Sequence, residues 1–328
     1  MQKFMHGLNK VPKTIKSITM KKRNIHLLFT GFRVFMLLLV CTVITGNGLM
    51  AQDSTESAPP VVKKVSYTKN TFGGNLMIDN QTVMVPIKGT FEFAINHRFG
   101  TVDKGFKDLF GIFAAGNIRL GFSYVPVKDL QIGFGAGNYN MLVDFNAKYA
   151  ILKQKTDNSM PVSVTYYGNA AMDTRAKSLS LPIVNTSDRF SFFNQIMVAR
   201  KFCDAFSAQA AFNYTHFNNV EGYYDANNVI QPAMKNDHLS FSLSGRYKIS
   251  PKTAIIFNYD QPLTQHPMNN PRPNLSLGLD MNSSGHGFQV FVGNYRYTLP
   301  QYNHMFNQND YTVGHFVIGF NITRLWNF

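Results

Sequence analysis

Residues 315 to 328 read HFVIGFNITRLWNF, and their side chains alternate in character. Phe316, Ile318, Phe320, Ile322, Trp326 and Phe328 fall on even positions, while His315, Gly319, Asn321, Thr323 and Asn327 fall on odd ones. A period of two sustained over fourteen residues is a β-strand with one apolar and one polar face. Strands in globular proteins usually run about five or six residues, whereas a tilted strand needs about 9 to 11 to cross a bilayer. This segment is long enough to cross. Arg324 interrupts the apolar face near its end, where a charge can reach lipid headgroups at small cost.

The same alternation recurs upstream, as in Phe91, Phe93 and Ile95, in Ile118, Leu120, Phe122 and Tyr124, and in Leu275, Leu277, Leu279 and Met281. Counting every such run predicts an all-β protein: a single closed, antiparallel, up-and-down transmembrane β-barrel of about twelve strands, an even number as bacterial barrels require. The 29 Phe and 15 Tyr of the chain are then side chains for lipid contact as well as for packing. Short connections at 126 to 129, 201 to 204, 250 to 252 and 282 to 285 alternate with longer ones near 100 to 116, 171 to 188, 218 to 237, 261 to 273 and 299 to 311. Short periplasmic turns and long outer loops are the asymmetry of outer-membrane barrels, so the short set faces the periplasm. Two connections fit this scheme poorly, 138 to 141 being short for an outer loop and 153 to 160 long for a turn. A weak repeat centred on Asn138, Asn169, Asn213, Asn258 and Asn294 has a spacing that varies from 31 to 45 residues, which reads as hairpin periodicity in one closed barrel and not as a solenoid or propeller array.

The chain carries 32 Lys plus Arg against 18 Asp plus Glu, a formal net charge of +14. Eight of those cations and no carboxylate lie in residues 1 to 51, so the excess belongs to a leader and a nucleic-acid partner is not implied. The basic stretch, the apolar run from Val34 to Ile44 and the ending Leu49-Met50-Ala51 match a signal peptide over 1 to 51, with Met20 an alternative start. Residues 52 to 82, with Pro59-Pro60 and Lys63-Lys64, read as a flexible periplasmic tail, and residues 83 to 328 as the barrel. With Cys41 in the leader, Cys203 is left alone, so no disulfide framework is expected.

Charged residues on the polar faces are Glu92, Arg98, Arg119, Asp144, Lys148, Arg246, Lys248, Asp260 and Asp280. A charge turned to lipid at the midplane costs about 2–4 kcal/mol for Arg or Lys, so these side chains are expected to face the lumen. There they either pair with one another and fill the interior or line a narrow channel that selects solutes. The His residues show neither a close pair nor a Cys partner, so neither a metal nor any other cofactor is expected, and no local motif marks a nucleophile or an enzyme.

A terminal aromatic on an alternating strand resembles the C-terminal signature that the barrel assembly machinery reads, here carried by Phe320, Ile322, Trp326 and Phe328. Asp79-Asn80-Gln81-Thr82-Val83, His97-Arg98-Phe99-Gly100, Asp108-Leu109-Phe110-Gly111 and Asn117-Ile118-Arg119-Leu120 resemble an uncharacterised family of Bacteroidota-type outer-membrane β-barrels, a domain of unknown function. The resemblance implies the cell outer membrane as location and outer-membrane lipid as surroundings, and it supplies no activity. The expected function is a passive or gated path for small polar solutes; the alternative is a non-transport scaffold or secretion and assembly accessory that binds other envelope proteins.

Overall fold

The computed structural model describes residues 66–177 and 183–328; the expected signal peptide and residues 52 to 65 lie outside them. Twelve antiparallel strands close into one barrel. The first six are β3 (Thr90–Thr101), β4 (Asn117–Val127), β5 (Leu130–Gly137), β6 (Leu142–Leu152), β7 (Ser163–Asp173) and β8 (Phe190–Lys201). The others are β9 (Phe206–Phe217), β12 (Asp237–Lys248), β13 (Thr253–Pro262), β14 (Asn274–Ser283), β15 (His286–Gly293) and β16 (Val317–Asn327), while the short β10 (Gly222–Tyr224) and β11 (Ile230–Pro232) pair with each other in the loop between β9 and β12. Each pairs with its neighbours in sequence, and β16 closes the ring on β3 through Ile322 opposite Ile95 and Trp326 opposite Phe91. The number of strands and the pairing of first with last are those the alternation predicts. The first barrel strand begins at Thr90, seven residues later than the expected start at 83.

Alternation sorts the faces as read. Phe122, Phe145, Tyr166, Phe212, Leu277 and Val292 stand exposed on the outside, where lipid replaces water as solvent. Asn96, Gln131, Thr165, Gln195, Asn213, Ser242, Asn258 and Gln289 are buried inside. Leu277, 60 % exposed, sits between Phe257 and Val292 at mid-strand. Leu277→Arg is therefore expected to destabilise the barrel by about 2–4 kcal/mol, the cost of a cation near the bilayer midplane. Guanidinium unfolding in lipid vesicles measures it, and an unchanged midpoint would place Leu277 on the wrong face.

The two ill-fitting connections have local explanations. Residues 138 to 141 form a single tight 3-10 turn in which Asn140 and Met141 take positive φ of 51° and 48°. The long turn after β6 is a docking edge for the chain entering from residue 66. Tyr67 bridges Lys155, the Thr68 amide donates to the Gln154 carbonyl at 2.8 Å, and the Thr156 amide donates to that of Ser66 at 2.9 Å.

The inside of the barrel is not empty. Two-residue strands β1 (Leu76–Met77) and β2 (Asn80–Gln81) form a hairpin that enters from the periplasmic end and turns at Ile78 and Asp79. Residues Thr71 to Thr82 thus lie within the barrel, where the sequence reading had a periplasmic tail. From the outer side, the loop between β15 and β16 contributes the helix α1 (Pro300–Phe306). Pro300 stands in its first turn, where the missing amide costs nothing. Residues Pro300 to Met305 are all buried. Around the hairpin, Phe72, Met77, Ile78 and Val83 pack against the inward aromatics and aliphatics Tyr167, Phe193, Met197, Ile256, Phe291 and Tyr295. A second cluster joins Tyr302 and Met305 of α1 to Leu142, Phe217, Tyr297 and Leu299 at the outer end.

Candidate functional site: the plugged lumen

The wall holds the hairpin mainly by its backbone. Lys148 Nζ donates to the Asn75 carbonyl at 2.9 Å, Gln289 Nε2 to that of Leu76 at 3.0 Å, and Asn258 Nδ2 to that of Met77. The Ile78 carbonyl accepts from Arg98 Nη2 at 3.1 Å and Asn321 Nδ2 at 2.8 Å, while the Ile78 amide donates to Gln289 Oε1 at 3.0 Å. Gln209 Nε2 donates to the Gln81 carbonyl at 2.7 Å, and the Thr165 hydroxyl to that of Val83 at 3.0 Å. These seven wall residues come from seven different strands, so the hairpin is tied to most of the circumference.

Ile78 carries a φ of 57°. Positive φ in a β-branched residue is sterically costly and persists only where surrounding contacts over-determine it. Three side chains grip its peptide groups and the side chain itself is fully buried, which accounts for the conformation.

Next to it, Asp79 faces Arg98 Nη2 at 3.7 Å and accepts from Asn303 Nδ2 of α1 at 2.7 Å. This is where an element entering from the periplasm meets one descending from the outer loops. Asn80 donates to Asp260 Oδ1 at 2.8 Å, and Asp260 also accepts from Asn274 at 3.1 Å. Gln301 of α1 donates to Asn169 at 2.8 Å, and the Asn169 amide donates to Asp144 at 2.8 Å.

The nine expected lumen charges divide into three groups. Glu92, Arg98, Lys148 and Asp260 engage the hairpin, Glu92 by accepting from Asn75. Arg119 and Asp144 form a bidentate pair at 2.7 and 2.8 Å, and Arg246 meets Asp280 at 3.3 Å. Lys248 is partly exposed at the periplasmic end of β12. The residues missed from sequence are Asp79, Asn80, Gln289 and Asn321, which meet Arg98, Asp260, Asp280 and Arg98 of this set, and Gln209, Gln301 and Asn303, which tie the hairpin and α1 in place. The Asn repeat was the available signal, because Asn169, Asn213, Asn258 and Asn294 are all buried and hydrogen-bonded.

Cavities remain on either side of the hairpin. One of about 60 Å³ lies among Asn75, Glu92, Arg119, Lys148 and Tyr167, and one of about 220 Å³ among Phe72, Asp280, Asn282 and Asn321. At the outer mouth, Tyr139, Arg175, Phe217, Tyr302 and Phe306 border a recess of about 350 Å³. His266, in the loop after β13, is held below the usual histidine range by burial and by the Lys235 ammonium. Among the described residues, no group of three His, Cys, Asp or Glu side chains is placed to hold a metal.

This closed barrel matches the family described as a membrane bound beta barrel domain (DUF5777) over residues 72–326. The chain belongs to that family. The match begins at Phe72, so the family's domain takes in the hairpin as well as the barrel. A closed barrel with an apolar outer face belongs to the outer membrane, and that is the location of this membrane-bound barrel. No curated protein matches the chain. Among solved structures, the chain is similar to the NanC porin at 8 % identity and a TM-score of 0.44, covering 73 % of this chain and 99 % of that one. An outer membrane channel from Pseudomonas putida F1 aligns at 11 % identity and 0.45, over 74 % and 97 % of the two chains. The Ralstonia pickettii toluene transporter TbuX aligns at 9 % and 0.38, over 75 % and 91 %. At these identities the likeness is one of strand arrangement, and it assigns this family member no cargo.

Proposed function

We propose that the protein is a gated conduit for small polar solutes across the outer membrane, with its own N-terminal hairpin as the gate. The observation that carries this reading is the way the hairpin is held. Seven wall side chains bond its backbone, and such bonds can be exchanged for water one at a time, at a net cost of about 0.5–1.5 kcal/mol for the five neutral donors and about 1.5–3 kcal/mol for Lys148 and Arg98. With the hairpin withdrawn, Arg98, Lys148, Glu92 and Asp260 would line a polar path of nearly balanced charge, which gives weak selectivity between anions and cations.

The reading assigns no catalytic step. Ser240 Oγ lies 2.8 Å from His304 Nδ1, and His304 Nε2 lies 3.9 Å from Asp260 Oδ2, an order of residues seen in hydrolases. Ser240 is fully buried and Asp260 is spent on Asn80 and Asn274, so the set serves as internal packing.

A second reading, a sealed scaffold for other envelope proteins, is favoured by the contact between Asn303 and Asp79, which joins the inner and outer fillings. Planar-bilayer recordings separate the two. The full-length protein is expected to give rare, brief openings and a variant lacking residues 70 to 86 steady conductance. A deleted barrel that runs as folded on heat-modifiability gels yet stays silent would overturn the conduit and leave the scaffold.

A further inference from the structure

The outward rows of the barrel strands carry almost no charge. Among the described strands, only Asp237, Arg200 and Arg324 place a carboxylate or a cation there. Asp237 is at the outer end, whereas both arginines are at the periplasmic edge. Arg200 alternates with the buried Ala199 on β8, and Arg324 stands opposite Phe93 and beside His286 on β16. The Arg200 guanidinium lies 5.6 Å from the Phe202 ring and that of Arg324 5.4 Å from the Trp326 ring. In the closed order of twelve strands β8 and β16 are six places apart, so the two arginines sit on opposite sides of the barrel.

The same edge is basic around its turns. Lys128, Lys153 with Lys155, Lys201, and Lys248 with Lys252 mark four of its five turns, against Asp129, Asp157 and Asp204. The outer loops and the strand ends beside them show no such excess, carrying eight cations and eight carboxylates among the described residues. An arginine stacked on an aromatic ring keeps its planar fork of donors, and that fork matches two oxygens of a phosphate; in Arg324 one arm, Nη1, also meets the His286 ring at 2.7 Å. Cations spread around the whole circumference match a planar anionic surface at headgroup depth, whereas a linear acidic polymer would need them gathered on one side.

We infer that Arg200 and Arg324, within this basic girdle, bind the phosphates of anionic phospholipids in the inner leaflet of the outer membrane. The lipid is recognised by its phosphodiester and net charge, so phosphatidylglycerol is preferred over phosphatidylethanolamine.

The test reconstitutes the full-length protein in nanodiscs of equal phosphatidylglycerol and phosphatidylethanolamine, extracts it gently, and counts retained lipids by native mass spectrometry. The parent is expected to retain phosphatidylglycerol selectively. Arg200→Gln and Arg324→Gln should each lower that retention about fivefold, the effect of one cation at an anionic surface. Arg200→Lys and Arg324→Lys should fall between parent and Gln variants, and Lys235→Gln on an outer loop should match the parent. Heat-modifiable mobility verifies folding of each variant, and if a Gln variant fails to fold the Lys series carries the comparison. Equal retention of the two lipids by the parent, or retention unchanged in folded Gln or Lys variants, overturns the inference. So does arginine-dependent binding to purified peptidoglycan with lipid retention unaffected.

Discussion

Replacing Arg98 with leucine is expected to cost about 3–5 kcal/mol of stability, because it leaves the partner of a buried ion pair without its countercharge. Arg98 is 1 % exposed, and its guanidinium serves both Asp79 and the Ile78 carbonyl at the tip of the hairpin. Without it, Asp79 keeps the bond from Asn303 but faces the interior as a carboxylate with no cation, and the strained Ile78 turn loses one of its three holds. Unfolding by guanidinium in detergent, followed through the single tryptophan, Trp326, reports the loss. The double variant Arg98→Leu with Asp79→Leu should recover much of it, since replacing a buried pair with apolar groups is often neutral. Parent-like stability in the single variant would mean that the pair does not anchor the hairpin.

The second large effect belongs to the seam. Trp326→Asp together with Phe328→Asp should abolish assembled barrel in outer-membrane fractions. β16 is the strand on which closure depends, with Trp326 opposite Phe91 and their rings 5.7 Å apart. Two carboxylates there remove the aromatic contact across the seam and turn charge toward lipid. They also erase the terminal aromatic, 89 % exposed, that the assembly machinery is expected to read. Trp326→Phe with Phe328→Tyr should assemble normally. Full-level, heat-modifiable barrel from the Asp pair would sink both the recognition and the closure arguments.

The barrel was legible because lipid and lumen impose opposite demands on successive residues. Phe122 and Ser123, or Leu277 and Ser276, declare their faces without help from any partner. The inward direction of Arg98, Arg119, Asp144 and Lys148 followed from the same alternation. What they touch did not, because their partners lie far off in sequence: Lys148 bonds Asn75, and Asn321 bonds Ile78. The hairpin was illegible for a local reason. Its turn is Ile78-Asp79, with no glycine or asparagine to supply the positive φ that a two-residue turn needs. The wall imposes that shape, so the segment's own propensities spell a tail. The helix α1 had a legible start in Pro300, but seven residues without an acidic first turn or a side-chain cap read as loop.

The chain order of the hairpin also bears on how the molecule is made. It immediately precedes β3, while its holds include Asp260, Gln289 and Asn321, at sequence separations of 180 to 243 residues. Contacts so distant form late, after the loop entropy of the intervening chain has been met. The hairpin can therefore be gripped fully only as β15 and β16 arrive, at the moment β16 reaches β3. Closing the wall and filling it would then be one kinetic event, and a nascent barrel would never have to exist as an open, leaking cylinder.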